Sequence, residues 1–364
     1  MKIAYDSQIF LMQEYGGISR YICSLANLLS NHPEIETKIF APMHINSYLS
    51  SLPSNLVYGH KIPRIPKTGR VISIANRIPL RMAINEFCPD IVHETFCTKS
   101  SFAPRSARTV VTVHDMIHER FPSAFSKYDR TSEWKQIATQ RADHVICVSE
   151  NTRNDLLEIF DLPENKVSVV CHGIDKLFQD LDEVVSDKKP YLLYVGQRGG
   201  YKNFEGFLRA YASSPSLSKV YDVICFGGSA FSNPEKILFE ELKLSDSQVL
   251  HMSGNDAKLA RYYRDAALFV YPSFYEGFGI PPLEAMSSGC PVVCSNTSSI
   301  PEVVGDAGEY FDPKSNESIC NAIEHVTNST ARRTELINLG QIRVAQFSRD
   351  RCADETLAIY KSLL

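Results

Sequence analysis

Two glutamates with glycines and prolines between them are the residues of this sequence best suited to chemistry. Glu276 and Glu284 lie eight positions apart and follow an apolar run over 267–271. Glycine and proline are poor in helix interiors, so the segment predicts a strand that ends near Pro272, a glycine turn, and a helix that begins at the prolines. The N–H groups of such a turn and of a helix N-terminus attract anions, which predicts a site for a phosphate-bearing ligand.

A second loop carries cations where they could bind a diphosphate. Arg198 and Lys202 lie in the glycine-rich segment Tyr194–Asn203, between an apolar run and a helical pattern. Guanidinium and ammonium groups in a loop before a helix can hold phosphate oxygens. Two cations in a loop could equally be a solvated surface. The functional interpretation is favoured because the loop with the two glutamates carries complementary chemistry.

Weaker signals lie in the first half of the chain. Gly16 and Gly17 follow the first apolar run and open a helical pattern, so the backbone there could approach a ligand closely, although a plain strand–helix turn explains them equally well. His114 follows another apolar run and is expected at the carboxyl end of a strand. His118 is expected to be structural, and His172, in a short turn near the middle of the chain, is expected to be part of a hinge.

Composition and charge limit the function classes. The 364 residues suffice for two domains, and 44% hydrophobic and 22% charged residues are typical of a globular protein. The formal net charge of −4 argues against a nucleic-acid-binding protein. The ten cysteines are scattered without a C-x-x-C pair, which favours a reduced, cytoplasmic protein with no metal site. The first residues predict a strand and no signal peptide, and no apolar run has the length of a membrane span.

Short apolar runs alternate with helical patterns through most of the chain, which predicts an α/β protein with parallel sheets covered on both faces. The predicted strands are 2–5, 91–93, 110–113, 144–148, 167–170, 191–195, 222–226, 248–251, 268–271 and 292–294. The predicted helices include 18–29, 152–160, 203–212, 257–264 and 282–288.

A polar segment divides the two series of strands. Residues 175–190 are rich in charged side chains and are expected to form a linker. This predicts an N-terminal doubly wound domain over 1–174 and a second one over 191–345, with ligands in the crevice at the carboxyl ends of the strands. The final helical run, 346–364, could belong to either domain.

The segment Lys61–Arg81 contains six cations and no acid, interleaved with isoleucines and prolines. One interpretation is a solvated loop and helix face. The other is a surface that meets anionic lipid at the inner face of the membrane, or a lipid-diphosphate acceptor.

Taken together, these residues resemble the retaining glycosyltransferases of family 4, whose GT-B architecture has two doubly wound Rossmann-like domains facing a cleft. The resemblance runs over nearly the whole chain, and its most specific part is the Glu276-x7-Glu284 block. The supporting motifs are Gly16-Gly17, His114-Asp115, Ser149-Glu150, His172-Gly-Ile-Asp175, the Arg198 and Lys202 loop, and Ile300-Pro301-Glu302. The resemblance also implies that the final helix, 346–364, packs back toward the N-terminal acceptor-side domain.

The resemblance assigns roles to the residues of the second domain, which would bind the nucleotide-sugar donor. Glu284 would hold the ribose hydroxyls, since a carboxylate accepts two hydrogen bonds from a vicinal diol. Glu276 would contact the donor sugar. Arg198 and Lys202 would neutralise the leaving nucleoside diphosphate. Further donor contacts are expected at Gly227, Ser253, Gly277, Phe278, Gly279 and Ile280.

In the first domain, the resemblance implies that Gly17, next to Gly16, approaches the donor phosphates and that His114 contacts the sugar. One loop departs from the commoner family pattern of Gly-Arg with a lysine five or six residues on, because here Gly196-Gln-Arg198 is followed by Lys202 after four. The equivalence of Arg198 is therefore open. This form of the loop is similar to that of bacterial mannosyltransferases of surface-polysaccharide assembly, which use GDP-mannose.

The resemblance thus implies a metal-independent retaining transferase without a cofactor. It would move a hexose, foremost an α-mannosyl group from GDP-mannose, to a glycan or polyprenyl-diphosphate-linked acceptor in O-antigen-like or capsule-like biosynthesis. Retention would follow a front-face reaction in which the departing phosphate helps to take the acceptor's proton. Three alternatives stay open: another GDP- or UDP-sugar donor, a sugar-nucleotide 2-epimerase on the same fold, and a non-catalytic nucleotide-sugar-binding module.

Overall fold

The structure is a computed structural model that describes residues 1–65, 68–174 and 189–364. These residues form two compact units, Met1–Gly173 with Arg349–Leu364, and Ile174–Ser348. The sequence analysis places the N-terminal domain at 1–174, the second domain at 191–345 and the final helix at 346–364. Most of the expected linker, 175–190, lies outside the described residues.

The first unit is built on a seven-stranded parallel sheet with the order β3-β2-β1-β4-β5-β6-β7. Its strands are β1 (Lys2–Tyr5), β2 (Glu36–His44), β3 (Val57–Lys61), β4 (Ile91–Glu94), β5 (Arg108–Val113), β6 (His144–Cys147) and β7 (Val167–Val169). The sequence analysis did not predict β2 and β3. β2 mixes Lys38 and Pro42 into its apolar run, and β3 is an edge strand whose side chains are mostly exposed, so neither shows the pattern of a buried strand.

The helices of this unit before residue 174 are α1 (Gln8–Met12), α2 (Gly17–Leu29), α3 (Gly69–Phe87), α4 (Ile117–Arg120), α5 (Thr131–Arg141) and α6 (Glu150–Phe160). α2 buries Ile22, Leu25, Ala26 and Leu29, residues spaced so that they share one face of a helix. α6 begins at a serine N-cap, since the Ser149 side chain accepts a hydrogen bond from the Thr152 N–H.

The second unit has a six-stranded parallel sheet with the order β10-β9-β8-β11-β12-β13. Its strands are β8 (Tyr191–Val195), β9 (Asp222–Phe226), β10 (Val249–Met252), β11 (Leu268–Tyr271), β12 (Val292–Ser295) and β13 (Gly308–Phe311). The last one is short and half polar, and the sequence analysis missed it. The helices are α7 (Phe204–Ser213), α8 (Pro215–Ser218), α9 (Asn233–Glu241), α10 (Asp256–Asp265), α11 (Ile280–Ser287), α12 (Ile300–Val304), α13 (Asn316–Asn328) and α14 (Thr330–Val344).

The strand orders identify where each sheet is expected to bind ligands. In the first sheet the order reverses between β1 and β4, and in the second between β8 and β11. The loops after two such strands diverge and leave a crevice at their carboxyl ends, which is where doubly wound folds bind ligands. The predicted α/β class with two doubly wound, Rossmann-like domains is confirmed.

The last helix, α15 (Arg349–Ser362), belongs to the first unit and packs against α2. Its Tyr360 is fully buried, with the hydroxyl 3.2 Å from that of Tyr5 and hydrogen-bonded to Nδ1 of His93. The end of the chain thus completes the core of the unit in which the chain begins. None of the described helices is long and apolar enough to cross a membrane.

Candidate active site

The Glu276–Glu284 segment forms the loop and helix that its residues predict. β11 ends at Tyr271, and α11 begins at Ile280 with prolines in its first turn. Gly279 caps this helix with φ at 119°, a left-handed value that favours glycine. The segment therefore starts at the carboxyl end of β11, at the point where the strand order of the second sheet reverses.

Lys202 and Glu276 form an ion pair at this edge of the sheet. The ammonium of Lys202 lies 2.7 and 2.9 Å from the two carboxylate oxygens of Glu276. It also lies 5.8 Å from the centre of the Tyr271 ring, a cation–π contact. The two residues belong to the loops after β8 and β11, which are neighbouring strands, so parallel pairing brings their loops together. Only 9% of the Glu276 side chain is exposed, which strengthens the pairing.

A third loop, after β12, holds the Glu276 turn in place. The Ser298 hydroxyl accepts a hydrogen bond from the Glu276 N–H at 2.9 Å. The Ser299 hydroxyl lies 2.8 Å from the carbonyl oxygens of both Glu276 and Phe278. The sequence analysis did not single out these serines. The available signal was the cluster of small polar residues between a strand and Ile300-Pro301, which is typical of a loop that bonds backbone groups.

Glu284 lies in the second turn of α11 and is buried. Its Oε2 accepts a hydrogen bond from the Tyr263 hydroxyl at 3.2 Å. Tyr263 belongs to α10 and was also missed by sequence reasoning, because nothing local marks a tyrosine as the partner of a carboxylate 21 residues away. The tyrosine fixes the orientation of the carboxylate.

Arg198 is placed differently from its sequence expectation. Its Nε donates to the Glu235 carboxylate at 2.5 Å, and its Nη atoms donate to the carbonyl oxygens of Gly227 and Ser229. The guanidinium also lies 4.9 Å from the centre of the Phe231 ring, and only 5% of the side chain is exposed. The guanidinium is therefore built into the protein's own loop structure, whereas the sequence analysis expected it to face a diphosphate.

The partner carboxylate, Glu235, begins α9 in a capping box with Ser232. Burial alone would raise the pKa of Glu235, but the hydrogen bonds from Arg198 and Ser232 lower it below its usual range. Arg198 thus ties the loop after β9 to the start of α9. The loop after β9 has a second contact at Gly227, where φ is 85°. There the Nε2 atom of His251 lies 3.2 Å from the Gly227 carbonyl oxygen.

The other expected donor contacts lie in three different surroundings. Gly277 and Gly279 are backbone positions of the turn next to Glu276, and the partly buried Ile280 opens α11. Gly227 and Ser253 follow the neighbouring strands β9 and β10, and Ser253 is exposed. The Phe278 side chain packs on Phe347 with ring centres 5.8 Å apart, so it serves the core.

Gly16 and Gly17 occupy the start of α2 in the first unit. Gly16 caps the helix in an extended conformation, and its carbonyl oxygen accepts from the Ser19 hydroxyl and the Arg20 N–H. A Cβ at Gly17 would meet none of the described atoms within 4 Å, apart from its chain neighbours and its own helix backbone. The N-terminus of α2 is therefore open on the side of Gly17, as close approach by a phosphate requires.

His114 directly follows β5, as its position in the sequence predicts. Its ring stacks on that of His172 with centres 5.4 Å apart and an angle of 11°, and Nδ1 of His114 lies 3.4 Å from Nε2 of His172. The Tyr21 ring packs edge-on against both. Burial, with His93 and Lys135 nearby, lowers the pKa of His114 to about 3, so its imidazole is neutral near pH 7. His172, which the sequence analysis expected to be part of a hinge, lies next to Gly173, where the first unit ends, and also belongs to this buried cluster. Its contact with His114 was hidden from sequence reasoning by a separation of 58 residues.

The described residues contain no group of three or more histidine, cysteine, aspartate or glutamate side chains arranged to hold a metal ion. The ammonium of Lys202 is the cation that contacts the Glu276 carboxylate in this part of the structure.

Comparison with known proteins adds the family. The model described as Glycosyltransferase Family 4 matches residues 15–176, and the model described as Glycosyl transferases group 1 matches residues 175–343. The chain belongs to the family 4 glycosyltransferases.

This glycosyltransferase is 29% identical to O-antigen chain mannosyltransferase B of Escherichia coli, over 95% of this chain and 96% of that protein. It is 28% identical to O-antigen chain mannosyltransferase RfbU of Salmonella typhimurium, over 63% of this chain and 64% of that protein. Among solved structures, sucrose-phosphate synthase from Thermosynechococcus elongatus matches with a TM-score of 0.80 at 20% identity, covering 100% of this chain and 99% of that one. The likeness shows a shared GT-B fold.

Within the second unit, the glycosyltransferase brings Lys202, Glu276 and the backbone of the glycine turn together at one edge of the sheet. Glu284 lies one helix turn further along the same segment. Arg198 is directed into its own ion pair. In the first unit, the N-terminus of α2 and His114 are linked through Tyr21, which lies on α2.

Proposed function

We propose that this glycosyltransferase moves an α-mannosyl group from GDP-mannose, with retention and without a metal, to a glycan or lipid-linked oligosaccharide of surface-polysaccharide biosynthesis. The observation that carries the proposal is the placement of three charged residues at the carboxyl ends of β8 and β11 in the second sheet. Lys202 lies in the loop after β8, Glu276 in the loop after β11, and Glu284 in the helix α11 that follows. The sugar and the pathway class are supported by two relatives that are O-antigen chain mannosyltransferases.

Each of the three side chains has a chemical role in this proposal. Glu284, buried and oriented by Tyr263, accepts hydrogen bonds from the donor's ribose hydroxyls. Glu276 contacts the donor sugar. Lys202 stabilises the negative charge that grows on the departing diphosphate. The Lys202 ammonium lies within hydrogen-bond distance of the Glu276 carboxylate. When the donor binds, this ammonium is therefore shared between Glu276 and the donor's phosphate.

The geometry favours a front-face path over a covalent intermediate. A nucleophilic carboxylate must offer its charge to the sugar, whereas both oxygens of Glu276 lie against the Lys202 ammonium. The departing phosphate then takes the acceptor's proton. His114 contributes as a neutral hydrogen-bonding contact to the sugar, since its lowered pKa keeps it uncharged near pH 7.

The proposal includes peripheral contact of Lys61–Arg81 with an anionic membrane. In the structure, α3 exposes four large apolar side chains with the spacing of one helix face, next to exposed arginines, and such a surface suits the interface of an anionic bilayer. The apolar residues are Val71, Ile74, Ile78 and Met82, each 66% to 72% exposed.

Donor binding and transfer test the function. GDP should raise the melting temperature of the protein more than UDP or ADP does, because a ligand that binds the folded state stabilises it. Glu284→Ala should raise the Kd for GDP roughly 30-fold, equivalent to the loss of about 2 kcal/mol of charge-assisted hydrogen bonding. Glu276→Ala should keep GDP affinity and lose mannosyl transfer. Glu317→Ala, at an exposed glutamate of the same unit, is the matched control.

Other outcomes contradict specific parts of the proposal. A preference for UDP over GDP would mean that the donor is a UDP-sugar and not GDP-mannose. Loss of transfer in EDTA, with recovery on adding Mg²⁺, would show that the reaction needs a metal. An epimeric nucleotide sugar formed without acceptor would indicate a 2-epimerase. If no nucleotide diphosphate shifts the melting temperature, the chain is not a nucleotide-sugar transferase.

A further inference from the structure

A cavity of about 460 Å³ lies at the carboxyl ends of β1 and β4, where the strand order of the first sheet reverses. Gln8, which follows β1, and Lys99 and Ser100, which follow β4, line it together with Arg77 of α3 and the rings of Phe102 and Trp134. Its volume is in the range of sites for one small ligand.

The cavity walls offer positive charge and aromatic surface. Arg77 and Lys99 come from different elements, and among the described residues that line the cavity none has a carboxylate side chain. Arg77 reaches the opposite wall, with Nη2 3.5 Å from the Ser100 hydroxyl. Trp134 is 38% exposed, and an indole ring provides apolar surface suited to contact with a sugar. A phosphate or diphosphate next to a sugar matches these groups.

The wall formed by α3 is fixed to the sheet. The amide of Asn76, a buried residue next to Arg77, bonds both the N–H and the carbonyl oxygen of Met43 in β2, at 3.0 and 2.8 Å. Arg77 is therefore presented from a positioned helix.

The same helix carries an apolar surface beside the cavity. Ile74 and Ile78, on either side of Arg77 in sequence, are among the four exposed apolar residues of α3. Met12 lines the cavity and is itself 57% exposed. A ligand with an anionic head and a hydrocarbon chain would place the head at Arg77 and the chain along α3.

We propose that this cavity binds the diphosphate of a lipid-linked acceptor, with Arg77 and Lys99 as its ligands and the exposed face of α3 as the contact for the isoprenoid chain. The inference rests on the proposed function, of which it specifies the acceptor. The two cations that line the cavity, Arg77 and Lys99, favour a diphosphate over the single phosphate of a bulk phospholipid.

The single tryptophan of the chain gives a direct readout, because Trp134 lines the cavity. Titration of the full-length protein with geranyl diphosphate, a soluble isoprenoid diphosphate, should change Trp134 fluorescence saturably. Arg77→Gln and Lys99→Gln should each weaken binding roughly tenfold, as expected for the loss of one charge-assisted contact. Lys361→Gln, at an exposed lysine of α15 in the same unit and outside the cavity lining, is the matched control and should bind like the unaltered protein.

Two further arms separate the sources of the signal. Ile78→Ser should weaken geranyl diphosphate binding and leave inorganic pyrophosphate binding unchanged, and equal behaviour of the two probes would overturn the lipid part. Anionic phosphatidylglycerol vesicles that reproduce the signal with the same dependence on Arg77 would show a membrane surface instead. Binding that persists in Arg77→Gln and Lys99→Gln overturns the site.

The donor site does not enter this experiment. No nucleotide is added, and Lys202→Met should leave the Trp134 signal unchanged. A negative result here with GDP binding intact would reject the acceptor site alone. A positive result without GDP binding would leave a lipid-diphosphate site while rejecting the proposed transfer reaction.

Discussion

At the scale of single residues, the two cations of the loop after β8 have different partners. Lys202 is paired with Glu276, which belongs to the predicted donor site. Arg198 is paired with Glu235, which belongs to the cap of a neighbouring helix. Since the two cations lie four residues apart, their separation is decided by the turn between them, where Gly200 has φ at 54°.

The placement of Arg198 predicts a stability effect. Arg198→Met would leave the Glu235 carboxylate without its cation and would remove the guanidinium donors from the Gly227 and Ser229 carbonyl oxygens, at a cost of about 3 kcal/mol, as is typical for breaking a largely buried pair. The free energy of unfolding should fall accordingly, measured by denaturant titration. GDP affinity should change much less than in Glu284→Ala.

Glu235→Gln supplies the matched variant. If the two side chains act as a pair, the double substitution should cost clearly less than the sum of the two single ones. Unaltered stability of Arg198→Met together with lost turnover would instead return Arg198 to the diphosphate role that the sequence analysis expected.

At the scale of elements, the start of α2 places two adjacent glycines in different surroundings. A Cβ at Gly16 would lie 2.1 Å from Oε1 of Gln13, the atom that accepts from the Ser19 N–H. A Cβ at Gly17 would meet no described atom outside its own helix backbone and chain neighbours. The two adjacent glycines thus differ in their surroundings: a side chain at Gly16 would disturb the cap, whereas Gly17 leaves the helix start open.

This difference predicts opposite results for two alanine substitutions. Gly16→Ala should displace Gln13 and cost about 1 kcal/mol, the usual value of a lost helix cap. Gly17→Ala should leave the melting temperature unchanged or slightly raised, because alanine is the better helix former. If phosphate approaches this terminus, Gly17→Ala should nevertheless lower transfer activity, measured as kcat/KM.

The assignment of roles fails if the two variants behave alike. Normal activity of a stable Gly17→Ala protein would reduce the pair to a plain strand–helix turn, the alternative that the sequence left open.

At the scale of the whole molecule, buried histidines in the first unit link stability to pH. Burial lowers the pKa of His93 and of His114 to about 3, and that of His172 well below its usual range. The unfolded chain binds protons at these positions below about pH 6.5, whereas the folded chain does not. Acidification from pH 6.5 toward 3 therefore favours unfolding, with each histidine contributing up to about 1.4 kcal/mol per pH unit.

Two buried carboxyls oppose this trend. Burial, together with the nearby Asp6 carboxyl, raises the pKa of Glu94 to about 7, and burial raises the pKa of Asp6 as well. The folded chain therefore holds a proton at Glu94 between about pH 4.5 and 7 that the unfolded chain lacks. That proton contributes stability below pH 4.5 that is lost as the pH rises to 7.

These opposing terms predict how two variants change the pH profile. His172→Asn should make the loss of stability between pH 6.5 and 5 shallower, and Glu94→Gln should make it steeper. Melting temperatures recorded across this range check both, with the unaltered protein as reference. A parallel profile for His172→Asn would show that this histidine binds a proton equally in both states.

The sequence by itself determined the α/β class and the segments that carry the candidate site. β1, β8, β9 and β11 have their predicted bounds because apolar runs, glycines and prolines act locally. The turn after β11 follows from the same local chemistry. The sequence did not predict β2 or the edge strand β3, because their neighbours in the sheet, and not their own residues, make them strands.

Only the tertiary structure decided which side chains meet. It paired Arg198 with Glu235 and Lys202 with Glu276, placed Tyr263 on Glu284, and stacked His114 on His172. These partners lie between 21 and 74 residues apart in sequence. Strand order fixes which loops are neighbours, and burial then makes the resulting contacts strong. The residue types predicted the chemistry, and the arrangement of parallel strands assigned each charge its partner.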